Sequence, residues 1–231
     1  MKTKKKKKGI STATKGWMIL LLLPITITLY VFTILLWHEM QDVPLIKSLT
    51  ETVQEAPRLL TDMEIPNEYV SIYKNAAEEY QIPWTLLAAH HRVETRFSTM
   101  DPLLSPVGAE GHMQFMPCTF VGWQHPTCKG LGKGAISDKD KTNPDVIAKY
   151  GGYGIDGNKD GKADPYQIDD AMYSAANYLS HNGASNGDVE HAIFMYNRSD
   201  KYVKDVMYYF KKYEEIQKSK EPEQSALGTR P

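Results

Sequence analysis

The sequence predicts a mainly α-helical domain carried behind a single membrane-crossing helix, and three observations carry that prediction. The stretch from Trp17 to Trp37 contains no charged residue. Five later segments repeat apolar residues every three to four positions, the period of a helix with one buried face. No run alternates apolar and polar residues in the way a half-buried strand does.

The N-terminal part comes first. Residues 1–16 form a basic head, and "WMILLLLPITITLYVFTILLW" at 17–37 is apolar throughout. Roughly 20 apolar residues are enough for a helix to cross a bilayer. Trp17 and Trp37 stand where interfacial aromatics are favoured, and the lysines mark the cytoplasmic side, against anionic lipid. Pro24 is tolerable in a membrane helix. The alternative, a cleaved signal peptide, needs a shorter apolar core and a small-residue cleavage site. The "HEMQDVPLIK" that follows offers neither that site nor a cysteine for a lipid anchor. The expected localisation is the cell membrane, single-pass, with the N-terminus cytoplasmic and the rest outside. Residues 38–65 read as a stem.

The helical segments follow in order. "EYVSIYKNAAEEY" puts Tyr69, Ile72, Tyr73, Ala76, Ala77 and Tyr80 on one face. "IPWTLLAAHHRVETRFS" opens at Pro83, a favoured first-turn residue, and stripes through Leu86, Ala89, His90, Val93 and Phe97. "IDDAMYSAANYLSHNG" stripes through Ile168, Ala171, Met172, Ala175 and Leu179 and stops at Asn182-Gly183. "DVEHAIFMYN" starts at a capping Asp188 and stripes through Val189, Ala192, Ile193 and Tyr196. "SDKYVKDVMYYFKKY" is capped by Ser199 or Asp200 and buries Val203, Val206 and Phe210. The Gly- and Lys-rich stretch from 127 to 161 reads as loop. The helical domain is therefore expected at 66–213, with a disordered polar tail at 214–231.

Charge and cysteines bound the function. The first 37 residues hold seven lysines and no acid, which leaves 20 basic and 28 acidic residues in the remainder. A surface with that excess of acid is a poor match for phosphate backbones, so nucleic acid is excluded as a partner. Cys118 and Cys128 lie on the outer side, where thiols tend to pair, and a bridge across so short a loop stabilises by roughly 2 to 3 kcal/mol. Two buried free thiols are the alternative.

The candidate chemistry starts at Glu94. It sits beside an apolar stripe and near the C-terminal end of its helix. Desolvation and the negative end of the helix dipole both oppose ionisation there. A carboxyl kept partly protonated near neutral pH is what a general acid requires. A solvated surface glutamate is the plainer reading of the same residue taken alone.

Eleven residues further on, "SPVGAEGHMQFMPCTF" (105–120) brings Ser105, Gly108-Ala109, Gly111, Met113-Gln114, Phe115 and Met116-Pro117 together. With the preceding "VETRFS", with "MYNRSDKYVKDVM", and with "YGIDGNKDGKADPYQIDDAMYSAANYLSHNG", this resembles the lytic transglycosylases and goose-type lysozymes. The last block is closest to the membrane-bound lytic transglycosylase B branch. Four blocks occur in the family's order over roughly 80–208. The resemblance implies a lysozyme-like helical fold and cleavage of the MurNAc-GlcNAc linkage of peptidoglycan glycan strands. It implies Glu94 as the catalytic acid and Ser105 hydrogen-bonded near it. Gln114 would offer its amide to the sugar, Met113, Phe115 and Met116 would form the wall, and Tyr196 and Asn197 would close the site. The small residues Gly108, Ala109 and Gly111 would let backbone approach the sugar. His112 departs from the family, which carries an apolar residue there.

A family member with one acid needs no protein nucleophile, because the substrate's N-acetyl group can attack C1 and a 1,6-anhydro product forms. A hydrolytic muramidase would use a second carboxylate, for which Asp101 and Glu110 are the nearby candidates. A non-enzymatic alternative is a wall-binding scaffold for an envelope-spanning machine.

No cofactor is required for this chemistry. A structural Ca²⁺ is suggested by "DGNKDGKAD", where Asp156, Asn158, Asp160, Lys162 (through its carbonyl) and Asp164 stand at positions 1, 3, 5, 7 and 9 of a calcium loop, with Gly161 at the sharp turn. Position 12 is Gln167 rather than the bidentate Glu, which weakens the site. His90 and Glu94 lie one turn apart, but one His-Glu pair is a poor metal site.

Overall fold

A computed structural model describes residue 24, residues 26–35 and residues 64–227, the last eight for backbone alone. The chain divides into two compact units, Met1–Asp62 and Met63–Pro231. In the first unit, residues 26–35 are helical and their apolar side chains are exposed. Thr28 Oγ1 donates to the Pro24 carbonyl at 2.8 Å and Thr33 Oγ1 to the Tyr30 carbonyl at 2.7 Å, so both hydroxyls are satisfied by their own backbone. Among the described residues no helix is long and apolar enough to cross a membrane. The rest of the expected 17–37 span, the basic head and nearly all of the 38–65 stem lie outside the described residues.

The second unit is mainly helical, as expected. Its helices are α1 (Asn67–Tyr80), α2 (Trp84–Thr95), α3 (Pro117–Val121), α4 (Asp138–Lys141), α5 (Pro144–Tyr150), α6 (Ile168–His181), α7 (Val189–Tyr196) and α8 (Asp200–Leu227), with a 3₁₀ turn at Ala184–Asn186. Among the described residues there is no strand, only two isolated antiparallel bridges, Leu104 with Glu110 and Glu110 with Phe115.

α2 is the central helix. The sequence pattern marks one apolar stripe on it, yet Thr85, Leu86, Leu87, Ala88, Ala89, His90, His91 and Thr95 are all buried. The reason is its position between α1 and α8, which cover it from two sides. α2 stops where Arg96, Phe97 and Ser98 take successive positive φ values of 50°, 58° and 65°. Left-handed backbone costs a residue with a side chain about 1–2 kcal/mol. Local hydrogen bonds hold the turn: Arg96 N–H donates to the Arg92 carbonyl, Phe97 N–H to the His91 carbonyl, and Ser98 N–H to Thr95 Oγ1.

Three expectations need correction. The stretch 127–161, read as loop, contains α4 and α5. Both are too short to show a periodic stripe, and both are set by their starts. Ser137 Oγ accepts from Asp140 N–H, Asn143 Oδ1 accepts from Asp145 N–H, and Pro144 occupies the first turn. The tail from 214 is not disordered at its beginning, because α8 continues through Leu227. Tyr213 is fully buried, Ile216 packs against the core, and Thr85 Oγ1 donates to Glu214. The buried edge of α8 is also rotated from the expected one: Tyr202, Val206 and Tyr213 are buried, while Val203 and Phe210 are only partly so. Tyrosine buries a large ring while keeping a polar tip for a partner, and that is how Tyr202 is used.

Candidate active site

Glu94 reaches the site from the last turn of α2, and α7 and α8 bring the aromatic side chains that enclose it. Tyr202, in the first turn of α8, donates its hydroxyl proton to Glu94 Oε1 at 2.5 Å. Burial pushes the Glu94 carboxyl up to about 7, and the Tyr202 hydrogen bond pulls in the opposite direction without cancelling it. Glu94 as a residue is nevertheless only partly buried. Glu94 can thus hold a proton near neutral pH and still be reached from outside. His90 Nδ1 lies 3.0 Å from the Tyr202 hydroxyl oxygen, and its ring is 5.0 Å from that of Tyr196. Burial raises the Tyr196 hydroxyl first, and the Glu94 charge adds to that, so Tyr196 faces Glu94 as a neutral group.

The 105–116 segment forms a tight double turn. Ser105 N–H donates to the Ala109 carbonyl at 2.9 Å, its carbonyl accepts from Gly108 N–H, and Ser105 Oγ accepts from Ala109 N–H at 2.8 Å. The described role of Ser105 is therefore to close the turn, whereas the resemblance implied a bond near Glu94. Glu110 and Phe115 exchange N–H bonds of 2.8 and 3.0 Å. Gly111 was expected to admit a sugar. Here it admits backbone: a Cβ on it would lie 1.9 Å from the Pro165 carbonyl oxygen. Gly108 has φ of +94° and is covered by the Lys133 side chain.

The expected wall is split by burial. Met113 is fully buried, and its carbonyl accepts from the Tyr196 hydroxyl at 2.8 Å. Gln114, Phe115 and Met116 line a groove together with Thr119, Tyr178 and Tyr196. Phe115 packs edge-on against Phe120 and Tyr178. Gln114 bends back, donating from Nε2 to the Gly111 carbonyl at 2.8 Å, so that bond engages its amide nitrogen and not its amide oxygen. Asn197 caps the C-terminal end of α7 and is exposed. Cys118 and Cys128 are bonded to each other, with Cα atoms 5.6 Å apart, and tie the 118–128 loop beside this groove.

The two candidates for a second carboxylate differ. Glu110 forms an ion pair with Lys141 at 2.9 Å and is mostly buried, so its charge is already engaged. Asp101 is exposed.

His112 has a defined place that the sequence left open. Its Nε2 is 2.9 Å from the Tyr166 carbonyl, which only accepts, so Nε2 carries the proton and Nδ1 accepts. Ser98 Oγ, 2.6 Å away, then donates to Nδ1. Ser98 in turn accepts from His91 Nε2 at 2.7 Å, and His91 Nδ1 accepts from the Tyr73 hydroxyl at 2.6 Å. Every donor in this chain has one acceptor provided both histidines are neutral. Burial holds His91 down at about 3 and pulls His112 down as well, the latter against the Tyr166 bond. The chain connects α1, α2, the left-handed turn and the 105–116 segment to the Asp-Gly loop.

That loop is organised by a residue with no distinguishing signal in the sequence. Asp170, in the first turn of α6, is fully buried and accepts from the N–H groups of Gly157, Asn158 and Asp164. Asp156 accepts from Asp160 and Gly161, Asn158 Oδ1 accepts from Asp160, Asp160 Oδ1 accepts from Lys162, and Asp164 Oδ1 accepts from Tyr166. Gly161 takes φ of +90°, which suits the sharp turn. The oxygen donor set has the chemistry of a calcium loop. Among the described residues, however, no three His, Cys, Asp or Glu side chains converge as a metal site. Tyr202 and the Tyr166 partner of His112 could not be found from spacing, because they lie 108 and 54 positions from the groups they contact, and Asp170 could not because its partners are backbone N–H groups, which carry no residue signature.

Comparison of the chain with protein-family models, with curated proteins and with solved structures finds no match.

Proposed function

We propose that this protein is a membrane-anchored enzyme that cleaves the MurNAc-GlcNAc linkage of peptidoglycan as a lytic transglycosylase, with a lysozyme-like fold in its helical domain. The observation that carries this reading is Glu94: a carboxyl lifted to about 7 at the end of a central helix, hydrogen-bonded to Tyr202 and still partly open to solvent. The small pocket lined by Gln114, Phe115, Met116, Thr119, Tyr178 and Tyr196 supports it, since it sets polar and aromatic groups beside Tyr196, which faces Glu94. The uncharged 17–37 segment supports the anchor, with the domain on the outer side.

In this mechanism Glu94 gives its proton to the glycosidic oxygen as the C1–O bond breaks. The carbonyl oxygen of the substrate's own N-acetyl group attacks C1. Glu94, now a carboxylate, takes the proton from the C6 hydroxyl, O6 displaces the N-acetyl oxygen at C1, and the 1,6-anhydro ring closes. Glu94 ends protonated and no water is consumed. Glu110 is engaged by Lys141, which leaves the exposed Asp101 as the candidate second carboxylate for a hydrolytic route. A structural Ca²⁺ in the Asp156–Asp164 loop is a separate part of the proposal. It is supported by the order of oxygen donors and must compete with the backbone N–H groups those oxygens already accept.

The test is to digest purified peptidoglycan with the full-length protein in detergent and weigh the fragments. Anhydro-muropeptides, one water below the hydrolysed ones, are expected. Reducing MurNAc ends would make the protein a muramidase, and binding without any fragments would make it a wall-binding scaffold.

A further inference from the structure

We infer that His90 is a positioning residue for Glu94: its Nδ1–H holds the Tyr202 hydroxyl oxygen, so that Tyr202 gives its single proton to Glu94 Oε1 and the transferable proton is left to Oε2. The inference rests on Glu94 being the acid, and its test separates the two.

The three groups form a line. His90 is fully buried, with Nδ1 at 3.0 Å from the Tyr202 oxygen, and that oxygen is 2.5 Å from Glu94 Oε1. Two directions of donation are possible when Glu94 is protonated. In one, protons run from His90 through Tyr202 to Glu94. In the other, Glu94 donates to Tyr202, Tyr202 donates to His90 Nδ1, and the remaining imidazole proton sits on Nε2. His90 Nε2 is buried without a hydrogen-bond partner among the described residues. The second direction would therefore bury an unpaired N–H, whereas the first buries only a bare acceptor, the lesser and commoner cost. The second direction also fails in the middle of the reaction, when Glu94 is a carboxylate and has nothing to donate. Only the first serves both states without rearrangement.

The surroundings keep His90 in that form. Its ring is tilted against those of Tyr196 on α7 and Tyr202 on α8, at 5.0 and 5.9 Å. The titratable groups facing Glu94 are Tyr196 and Tyr202, with Tyr178 of α6 behind Tyr196 and His90 on Glu94's own helix. Burial holds His90 down at about 3 and raises both tyrosine hydroxyls, so none of these groups takes the Glu94 proton at neutral pH. A donor behind Tyr202 makes its hydroxyl a stronger donor in turn, because hydrogen bonds in a chain polarise one another. His90 thus limits how far burial raises Glu94 and fixes which oxygen faces the substrate.

The first experiment needs no variant. Long-range ¹⁵N–¹H correlation on the full-length protein reads the histidine tautomers, and His90 is expected as the neutral Nδ1–H form. An Nε2–H tautomer overturns the inference. The second follows the Glu94 carboxyl by ¹³C NMR in His90→Phe and His90→Asn. Phe removes the donor, so the carboxyl should titrate roughly half a unit to one unit higher, and the high-pH limb of kcat/KM should move with it. Asn can place an amide N–H near the Nδ1 position and should restore most of the shift. A folded His90→Phe protein with an unmoved carboxyl overturns the inference, and if that variant does not fold the wild-type tautomer decides. A moved carboxyl in a protein that does not cleave peptidoglycan leaves the inference standing and removes the proposed activity.

Discussion

Glu94 and Asp170 are both carboxylates withdrawn from water, and burial pushes both upward, yet they are built for opposite ends. Asp170 lies in the first turn of α6, where the helix dipole favours an anion, and three backbone N–H groups donate to it. Glu94 lies in the last turn of α2, where the dipole disfavours an anion, and one side-chain hydroxyl donates to it. The difference lies in donors and helix ends, not in burial. A carboxylate surrounded by fixed amides is a structural anchor. A carboxylate with a single donor and a partly open face is a place to keep a proton.

The contrast can be broken first at Glu94. Glu94→Gln keeps the shape and removes the proton, and the fall in peptidoglycan cleavage should be about 10²- to 10⁴-fold. Binding to insoluble peptidoglycan should persist. Full activity in the variant would end the assignment.

Asp170→Ala should act on stability. Three N–H donors lose a charged acceptor inside the fold, which should cost about 3–5 kcal/mol in urea unfolding. A loss under about 1 kcal/mol would mean the loop finds other acceptors and the anchor reading is wrong.

The pH dependence of stability sharpens the same contrast. His90 and His91 fall from an ordinary 6.5 to about 3 on folding. Between those values the unfolded chain binds protons that the fold refuses, so their contribution is whole above 6.5 and is lost as pH falls. Glu94 rises from 4.5 to about 7, so its contribution is whole below 4.5 and is lost as pH rises. Between pH 4.5 and 6.5 two groups oppose one. Stability from these three should rise with pH by about 1.4 kcal/mol per unit. His112 moves in the sense of the other histidines and Asp170 in the sense of Glu94. In Glu94→Gln the opposing group is gone and the slope should steepen towards about 2.7 kcal/mol per unit. An unchanged slope would show that Glu94 does not hold its proton in this range.

Calcium carries the smallest effect. A site at about ten times its Kd adds roughly 1.4 kcal/mol, so chelation should lower Tm by about 3–6 °C, and Asp156→Ala should remove that sensitivity. No change in Tm at any Ca²⁺ level would take the ion out of the account.

The same two residues show how far the sequence could be read. Glu94 was visible because its difficulty is local: an apolar stripe beside it and a helix end just after it. Its partner was not, since Tyr202 lies 108 positions away and marks itself only as one aromatic among many. Asp170 was not legible, because it stands among the periodic apolar positions Ile168, Ala171 and Met172 and its amide partners are set by the loop's path. The long helices showed their period, whereas α4 and α5 are too short to have one. Gly111 was read as room for a sugar, though Pro165 occupies that room. A glycine reports close approach without saying what approaches.

The most direct test of the central claim is to titrate the Glu94 carboxyl by ¹³C NMR in the full-length protein and to overlay it on the pH profile of peptidoglycan cleavage. A carboxyl that ionises near 7, with kcat/KM falling along the same curve as pH rises, is the predicted result. Ionisation near its ordinary 4.5, with cleavage indifferent to it, would contradict the account.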